Sequence, residues 1–158
     1  MKALVVYDSV FGNTEQIARA IGDALGSAPD VVVTRVGDAR PDMLTGATLV
    51  VVGSPTRAFR PTPATVDWLK GLPEGSLSGV SVAAFDTRIS VEDTGSRILG
   101  FMVRLFGYAA KPIADRLTKA GGRPVAEPEG FYVADREGPL KEGEAERAAA
   151  WARALVSG

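Results

Sequence analysis

The sequence contains no cysteine and no histidine. Their absence excludes disulfide bonds, thiolate nucleophiles, the usual zinc sites and every catalytic arrangement that needs an imidazole. Long apolar runs are missing too: the apolar stretch after Lys2 ends at Asp8, which is too short for a signal peptide or a membrane helix. We therefore expect a cytoplasmic protein without a metal site, whose chemistry comes largely from a borrowed cofactor.

An excess of charge of one sign is also missing, since 18 Lys and Arg residues stand against 19 Asp and Glu residues. A net charge of -1 spread along the chain gives no broad field to attract nucleic acid or an anionic membrane, so neither is expected as a partner. The chain does have apolar residues, 46% of its 158 residues, which suffice for one core. We expect a single domain over residues 1–158.

Hydrophobic patterning along the chain alternates between two periods. Short apolar runs predict strands, and apolar residues spaced three and four apart predict helices. Strands are expected at residues 4–6, 31–33, 49–52, 80–85 and 124–133, and helices before Gly26, at 63–69, in two stretches between 96 and 120, and around Trp151. This alternation predicts an α/β protein with a parallel sheet and helices on both faces. Because proline cannot donate to a central ladder, Pro128 predicts that the last strand is an edge strand or carries a bulge.

The loop after the first strand has the composition of a phosphate site. A phosphate needs converging donors, which the N–H groups of a loop and of a helix N-terminus supply. Gly12 lets the backbone approach a phosphate closely, and one hydroxyl stands at each end of the loop, on Ser9 and on Thr14. The candidate residues are Ser9, Val10, Phe11, Gly12, Asn13 and Thr14. The alternative is that these polar residues only turn the chain and cap the helix.

The segment from Val5 to Thr14, followed by Ala18 and Ile21, resembles the flavodoxin signature. The resemblance implies FMN as cofactor, with its phosphate held in this loop. It also implies a flavodoxin-like three-layer sandwich over nearly the whole chain, with a five-stranded parallel sheet of order 2-1-3-4-5. Other phosphate sites fit less well, because the loop lacks Gly-Lys-Ser/Thr and has one glycine. A phosphoacceptor receiver domain is excluded because Gly53 and Ser54, at the end of the third strand, offer no aspartate.

Two further segments are expected to meet the flavin ring, because ligands of such sheets bind outside the carboxyl ends of the strands. By resemblance, the loop after strand three supplies Ser54, Pro55, Thr56, Arg57, Ala58 and Phe59, with Phe59 as the stacking residue. The segment after strand four supplies Asp86, Thr87 and Arg88. This segment departs from the family pattern, which often places a tyrosine over the ring, so binding there is expected to be more open.

Three arginines, Arg57, Arg60 and Arg88, are expected to cluster around the flavin, which many flavodoxins surround with acidic groups. An arginine within about 6 Å of the ring would favour the anionic reduced flavin and raise the second-step potential. The same side chains could instead bind an anionic substrate or the phosphates of a nicotinamide nucleotide. They could also be ordinary solvated arginines.

One predicted helix is too apolar for a single buried stripe. Its apolar residues are Ile98, Leu99, Phe101, Met102, Val103, Leu105 and Phe106. Burial beneath the following helix, a homodimer contact and a lid over the flavin are the three alternatives.

Three functions fit these observations. The first is an FMN-binding redox protein that passes electrons between protein partners. The second is an FMN-dependent reductase of quinones or other small acceptors, and the third is a flavin-free interaction module with the same fold.

Overall fold

The computed structural model describes residues 1–90 and 95–157 of the chain. Its strands are β1 (Ala3–Tyr7), β2 (Val31–Arg35), β3 (Leu49–Pro55), β4 (Ser81–Ile89), β5 (Arg123–Pro124) and β6 (Glu129–Val133). Its α-helices are α1 (Asn13–Leu25), α2 (Pro63–Lys70), α3 (Arg97–Phe106), α4 (Ala110–Lys119) and α5 (Glu144–Val156). Two short 3₁₀ turns, Val36–Asp38 and Pro41–Leu44, lie between β2 and β3.

The strands form one parallel sheet in the order β2-β1-β3-β4-β5, and β6 also pairs with β4. The predicted order 2-1-3-4-5 is confirmed, with one difference. The predicted last strand is two strands, β5 and β6, on the same edge of β4 and separated by residues 125–128. Pro128 lies in that gap, where no ladder hydrogen bond is needed from its nitrogen.

The strands bury apolar side chains on both faces, as parallel sheets covered by helices do. Val5 and Val51 pack with Ile17 of α1 on one face. Leu4 and Val50 belong to the cluster on the other face, together with side chains of α2 and α4. Successive residues of one strand thus serve opposite cores, which makes the apolar runs continuous rather than alternating.

Aromatic packing fixes the edge of the sheet near β4 and β6. The rings of Phe85, Phe131 and Trp151 meet edge to face, with centroids 5.9 to 6.3 Å apart. A Cβ on Gly53 would lie 2.0 Å from the Phe85 ring, so the neighbouring strand needs glycine at this position.

β3 and β4 are both longer than the sequence predicted. Ser54 and Pro55, expected in the loop after strand three, continue β3 and pair with β4. Asp86, Thr87 and Arg88 were expected in a loop, but they continue the strand and pair with Gly130, Phe131 and Tyr132 of β6. The expectation of a loop is therefore wrong, although the three residues still lie toward the carboxyl end of the sheet.

The apolar helix α3 keeps part of its surface in solvent. Ile98 and Phe101 are 78% and 57% exposed, and none of the described side chains of α3 is fully buried. Burial of the whole helix beneath α4 is therefore not what the structure shows. The side chains of Leu105 and Phe106, which belong to the same prediction, lie outside the described part.

Candidate functional site

A cleft of about 570 Å³ opens where β1, β3, β4 and β6 reach their carboxyl ends. This is the position at which doubly wound sheets bind ligands. The residues that line it are Ser9, Val10, Phe11, Asn13, Thr14, Pro55, Thr56, Arg57, Ala58, Thr87, Arg88, Ile89, Val133 and Arg136.

The loop from β1 into α1 presents unused backbone donors to this cleft. Gly12 is the N-cap of α1 with a φ of 93°, a conformation that favours glycine. Ser9 Oγ accepts hydrogen bonds from the N–H groups of Gly12 (3.1 Å) and Glu15 (3.3 Å). Within residues 1–90 and 95–157, no acceptor is found for the N–H groups of Val10, Phe11, Asn13 and Thr14. Four free amides at a helix N-terminus fit a phosphate dianion.

A hydroxyl pair forms the floor beside these amides. Thr14 Oγ1 lies 2.7 Å from Thr87 Oγ1, and both residues line the cleft although they are only 1% and 4% exposed. One hydroxyl donates to the other, so the accepting hydroxyl keeps its own proton available. The pair also ties the start of α1 to β4.

Asp8 and Arg35 hold the phosphate loop in place through hydrogen bonds to Ser9. Asp8 accepts from the N–H of Ser9 (2.9 Å) and from the hydroxyl of Thr62 (2.5 Å). Arg35, at the end of β2, donates to the carbonyl of Ser9 (2.9 Å) and to Glu15 (3.2 Å). Arg35 was not among the predicted site residues, although its place at the carboxyl end of a strand was the available signal.

The turn after β3 is strained. Ala58 and Phe59 have φ values of 49° and 68°, and Arg57 and Arg60 exchange two backbone hydrogen bonds across them. Two successive positive φ values define a type I′ turn, which strongly prefers Asn and Gly. Such strain often accompanies ligand contacts. Ser54 anchors the turn from within the fold, because its buried Oγ accepts from the N–H of Thr62 at 3.0 Å.

Arg88 is held rigidly at the wall of the cleft. Its Nε and Nη2 donate to the two carboxylate oxygens of Asp86 at 2.6 and 2.7 Å, and its guanidinium lies 3.6 Å from the centre of the Tyr108 ring. A Cβ on Gly130 would fall 2.2 Å from the guanidinium carbon, so glycine makes room for it. Asp86 is fully buried and also accepts from the N–H of Ala110.

Burial governs the acid–base properties of this group. Desolvation raises the pKa of Asp86, while the hydrogen bond and charge of Arg88 oppose that rise. Desolvation also raises the pKa of Tyr108, against the opposing charge of Arg88. Tyr108 is therefore a neutral phenol at physiological pH.

Two other arginines line the cleft without a carboxylate partner in the described residues. The guanidinium of Arg57 lies 5.6 Å from the centre of the Phe11 ring, and Arg136 follows β6. Arg60, which the sequence grouped with them, does not line the cleft. The cleft is therefore cationic, although the whole chain is nearly neutral.

The structure brings eleven of the predicted site residues to the cleft and leaves four away from its walls. Gly12 shapes the loop, Ser54 and Asp86 are buried supports, and Phe59 lines a neighbouring pocket instead. Ile89, Val133 and Arg136 line the cleft but were not predicted. The same rule about strand ends, applied to the last strand, would have indicated them.

Two features are absent from the described part of the chain. No group of three or more Asp, Glu, His or Cys residues is arranged to hold a metal ion. No helix there is both long and apolar enough to cross a membrane.

The fold and the cleft define a doubly wound α/β protein whose first loop and first helix N-terminus present backbone N–H donors to the cleft. The family model of flavodoxin matches residues 5–151, and the chain belongs to the flavodoxin family. FMN is accordingly its cofactor, and it is an electron-transfer protein. A search of curated proteins found no match.

Solved flavodoxins share the fold. Flavodoxin 2 from Bacillus cereus superimposes with a TM-score of 0.76 at 25% identity, covering 98% of this chain and 97% of that one. Flavodoxin 1 from Bacillus cereus gives 0.76 at 16% identity, covering 99% and 97%. A flavodoxin from Streptococcus pneumoniae TIGR4 gives 0.71 at 19% identity, covering 98% and 97%.

Proposed function

We propose that the chain carries electrons between protein partners, with the FMN phosphate held by residues 9–14 and the ring bordered by residues 55–59 and 86–88. The observation that supports this most directly is the set of four free N–H groups around Gly12 at the start of α1. These donors, the hydroxyl of Thr14 and the wall formed by Thr56 and Arg57 would bind the cofactor. When bound, FMN supplies the redox chemistry.

The chain's own residues orient the cofactor and determine how strongly its reduced, charged form is stabilised. The bracing of Ser9 by Arg35 and Asp8 orients the loop before any ligand arrives, so little ordering is required on binding. Arg57 and Arg136 favour an anionic reduced cofactor over a neutral one, whereas the charge of Arg88 is largely balanced by Asp86.

FMN titration of the purified protein tests the phosphate loop. We expect Thr14→Ala to weaken FMN binding about tenfold or more, because a hydrogen bond to a charged group is lost. Thr65→Ala is the matched control: Thr65 is also buried and paired with a threonine hydroxyl, at 2.8 Å from Thr62, but it does not line the cleft.

Gly12→Val gives a second test with a matched control. Gly143 is likewise a helix N-cap, with a φ of 85° and open space around a Cβ, but it lies on α5. Valine strains both positions, so both variants lose stability, whereas only Gly12→Val should weaken FMN binding. Unchanged FMN affinity in both Thr14→Ala and Gly12→Val would refute the assignment of the loop.

A second candidate function is the reduction of quinones or other small acceptors. An apolar pocket lined by Phe59, Leu99 and Val103 lies beside the cleft and favours this candidate. Steady-state turnover of a quinone with a nicotinamide donor would support it, and electron transfer only to proteins would refute it. The flavin-free alternative is not retained, because the family binds FMN.

The exposed face of α3 bears on the partner. Ile98 and Phe101 could meet a redox partner or a second copy of the chain. Sedimentation of the wild type and of Ile98→Asp separates the two, since a homodimer through this helix would dissociate in the variant. Cytoplasmic location stays a prediction from the sequence, which cell fractionation would test.

A further inference from the structure

A second cavity, here called the lateral pocket, lies between the 57–60 turn and α3. Its volume is about 290 Å³, at the small end of ligand pockets, so it suits a molecule of one or two rings. Phe59, Ile89, Leu99 and Val103 give it mainly apolar walls. None of the residues of the phosphate loop lines it.

Cationic groups stand in the apolar wall. Arg88 lines the lateral pocket, and its Nη1, unlike its other two nitrogens, meets no acceptor among residues 1–90 and 95–157. Arg136 also lines the pocket and forms no ion pair in the described chain. Tyr108 completes the wall with a flat ring against which the guanidinium of Arg88 is stacked.

We propose that the lateral pocket binds planar aromatic carboxylates of one or two rings. The apolar walls remove the ring from water, and guanidinium groups pair with carboxylates through parallel hydrogen bonds. Arg88 is already oriented by Asp86 and Tyr108, so it loses little side-chain freedom when it binds. The pocket shares residues 56, 58, 59 and 88 with the proposed border of the ring but takes none from the phosphate loop, so this inference adds a second ligand beside the cofactor.

The lateral pocket nevertheless borders the cleft. Thr56, Ala58, Arg88 and Arg136 line both cavities. A carboxylate bound in the lateral pocket would therefore contact the same turn and the same arginines that border the FMN site. This makes the pocket the place where a small aromatic molecule could sit next to the cofactor.

Calorimetric titration of FMN-saturated protein with 2-naphthoate tests the proposal. We expect a dissociation constant on the order of 1 mM or tighter, given the size of the probe. Leu99→Trp should abolish binding by filling the pocket, and Arg136→Ala, at an exposed residue, should weaken it about tenfold. Ile98→Ala and Arg153→Ala are the controls, because both residues are exposed and neither lines the pocket.

The possible outcomes separate this proposal from the proposed function. Tighter binding of 2-naphthoate than of neutral 2-naphthol, lost in Leu99→Trp and weakened in Arg136→Ala, supports the pocket. Equal binding of 2-naphthol, unchanged binding in both variants, or competition of 2-naphthoate with FMN overturns it. FMN affinity is measured in parallel, and the naphthoate titration is also run without FMN. A chain that fails to bind FMN refutes the proposed function, while the lateral pocket is then judged on the titration without FMN.

Discussion

At the scale of residues, the buried carboxylate of Asp86 reduces the electrostatic effect of Arg88 on the cleft. The sequence suggested that its cation would act on the flavin, and the structure places it at the cleft wall in a two-pronged pair with buried Asp86. If Arg88 is removed, burial favours a protonated Asp86, so a neutral pair is replaced by a neutral acid. The net charge near the cleft then changes little.

Arg57 and Arg136 should tune the reduced flavin more strongly than Arg88 does. We expect Arg57→Ala and Arg136→Ala each to lower the hydroquinone potential, because neither arginine has a carboxylate partner in the described chain. A unit charge about 8 Å away at an effective dielectric of about 40 contributes about 1 kcal/mol, which is roughly 40 mV for one electron.

Redox titration of the FMN-loaded variants measures this difference. Arg88→Ala serves as the comparison and should show a smaller fall in potential than either of the other two. A larger fall in Arg88→Ala would contradict the compensation by Asp86. Arg153→Ala, an exposed substitution on α5, controls for the general loss of one positive charge.

Arg88→Ala should instead be a stability variant. It leaves the carboxyl of Asp86 buried without its cation, and breaking such a pair costs about 3–5 kcal/mol at neutral pH. In the variant the folded-state pKa of Asp86 lies above the unfolded value, so the deficit relative to wild type should shrink as the pH falls through that folded pKa.

Urea unfolding at several pH values checks this expectation. The double variant Arg88→Ala with Asp86→Asn removes the uncompensated acid and should recover part of the loss. A deficit that is independent of pH and equal in the single and double variants would show that Arg88 acts through packing on Tyr108 alone.

At the scale of elements, the 57–60 turn contains residue types that disfavour the backbone conformation they adopt there. Alanine and phenylalanine occupy two positions with positive φ. Ala58→Asn should raise the free energy of unfolding by about 1 kcal/mol, because asparagine tolerates this conformation. This corresponds to a rise in Tm of roughly 2–4 °C.

Thermal unfolding of Ala58→Asn beside Ala114→Asn tests the idea. Ala114 lies within α4, where asparagine lowers helix propensity and should reduce the Tm. Equal changes in Tm for the two variants would refute strain at Ala58. FMN affinity measured on Ala58→Asn then shows whether the strained turn contributes to binding.

The sequence predicted those strands and helices whose pattern of apolar residues lies within the segment itself. The first two strands and the starts of β3 and β4 follow from their apolar runs, and the sheet order came from the family resemblance. The end of β4 could not be found in this way, because Asp86, Thr87 and Arg88 are polar. Their place in the strand depends on pairing with β6, more than 40 positions later, and on partners for each side chain.

The residues of the candidate site that belong to one loop were predicted from the sequence. Those contributed by separate, distant strand ends were not. Residues 9–14 carry their own signal of glycine, hydroxyls and a helix start. Arg35 and Arg136 belong to strand ends that have no such motif, and only the convergence of the parallel strands places them at the cleft.

At the scale of the molecule, two charged residues of α5 join this helix to β6: Glu144 through the N–H of Tyr132, and Arg147 through Glu129 at 3.4 Å. Glu144 accepts hydrogen bonds from the N–H of Tyr132 in β6 (2.7 Å) and from Arg147 (2.8 and 3.0 Å). Burial alone would raise the pKa of Glu144, but these bonds outweigh it and hold the pKa below its ordinary value. Stability from Glu144 is therefore fully present above the unfolded pKa near 4.5 and is lost as the pH falls through the lower folded pKa.

Glu144→Gln should remove this pH dependence. At neutral pH we expect the variant to lose about 1–2 kcal/mol, since glutamine accepts more weakly from Arg147 and from the N–H of Tyr132. Below the folded pKa of Glu144 the wild-type carboxyl is protonated, so the two unfolding free energies should converge. Urea unfolding between pH 7 and about pH 3 measures the difference, with exposed Glu142→Gln as the control. If the difference in unfolding free energy between wild type and Glu144→Gln stays constant over this pH range, the ionised carboxylate does not stabilise the contact between α5 and β6.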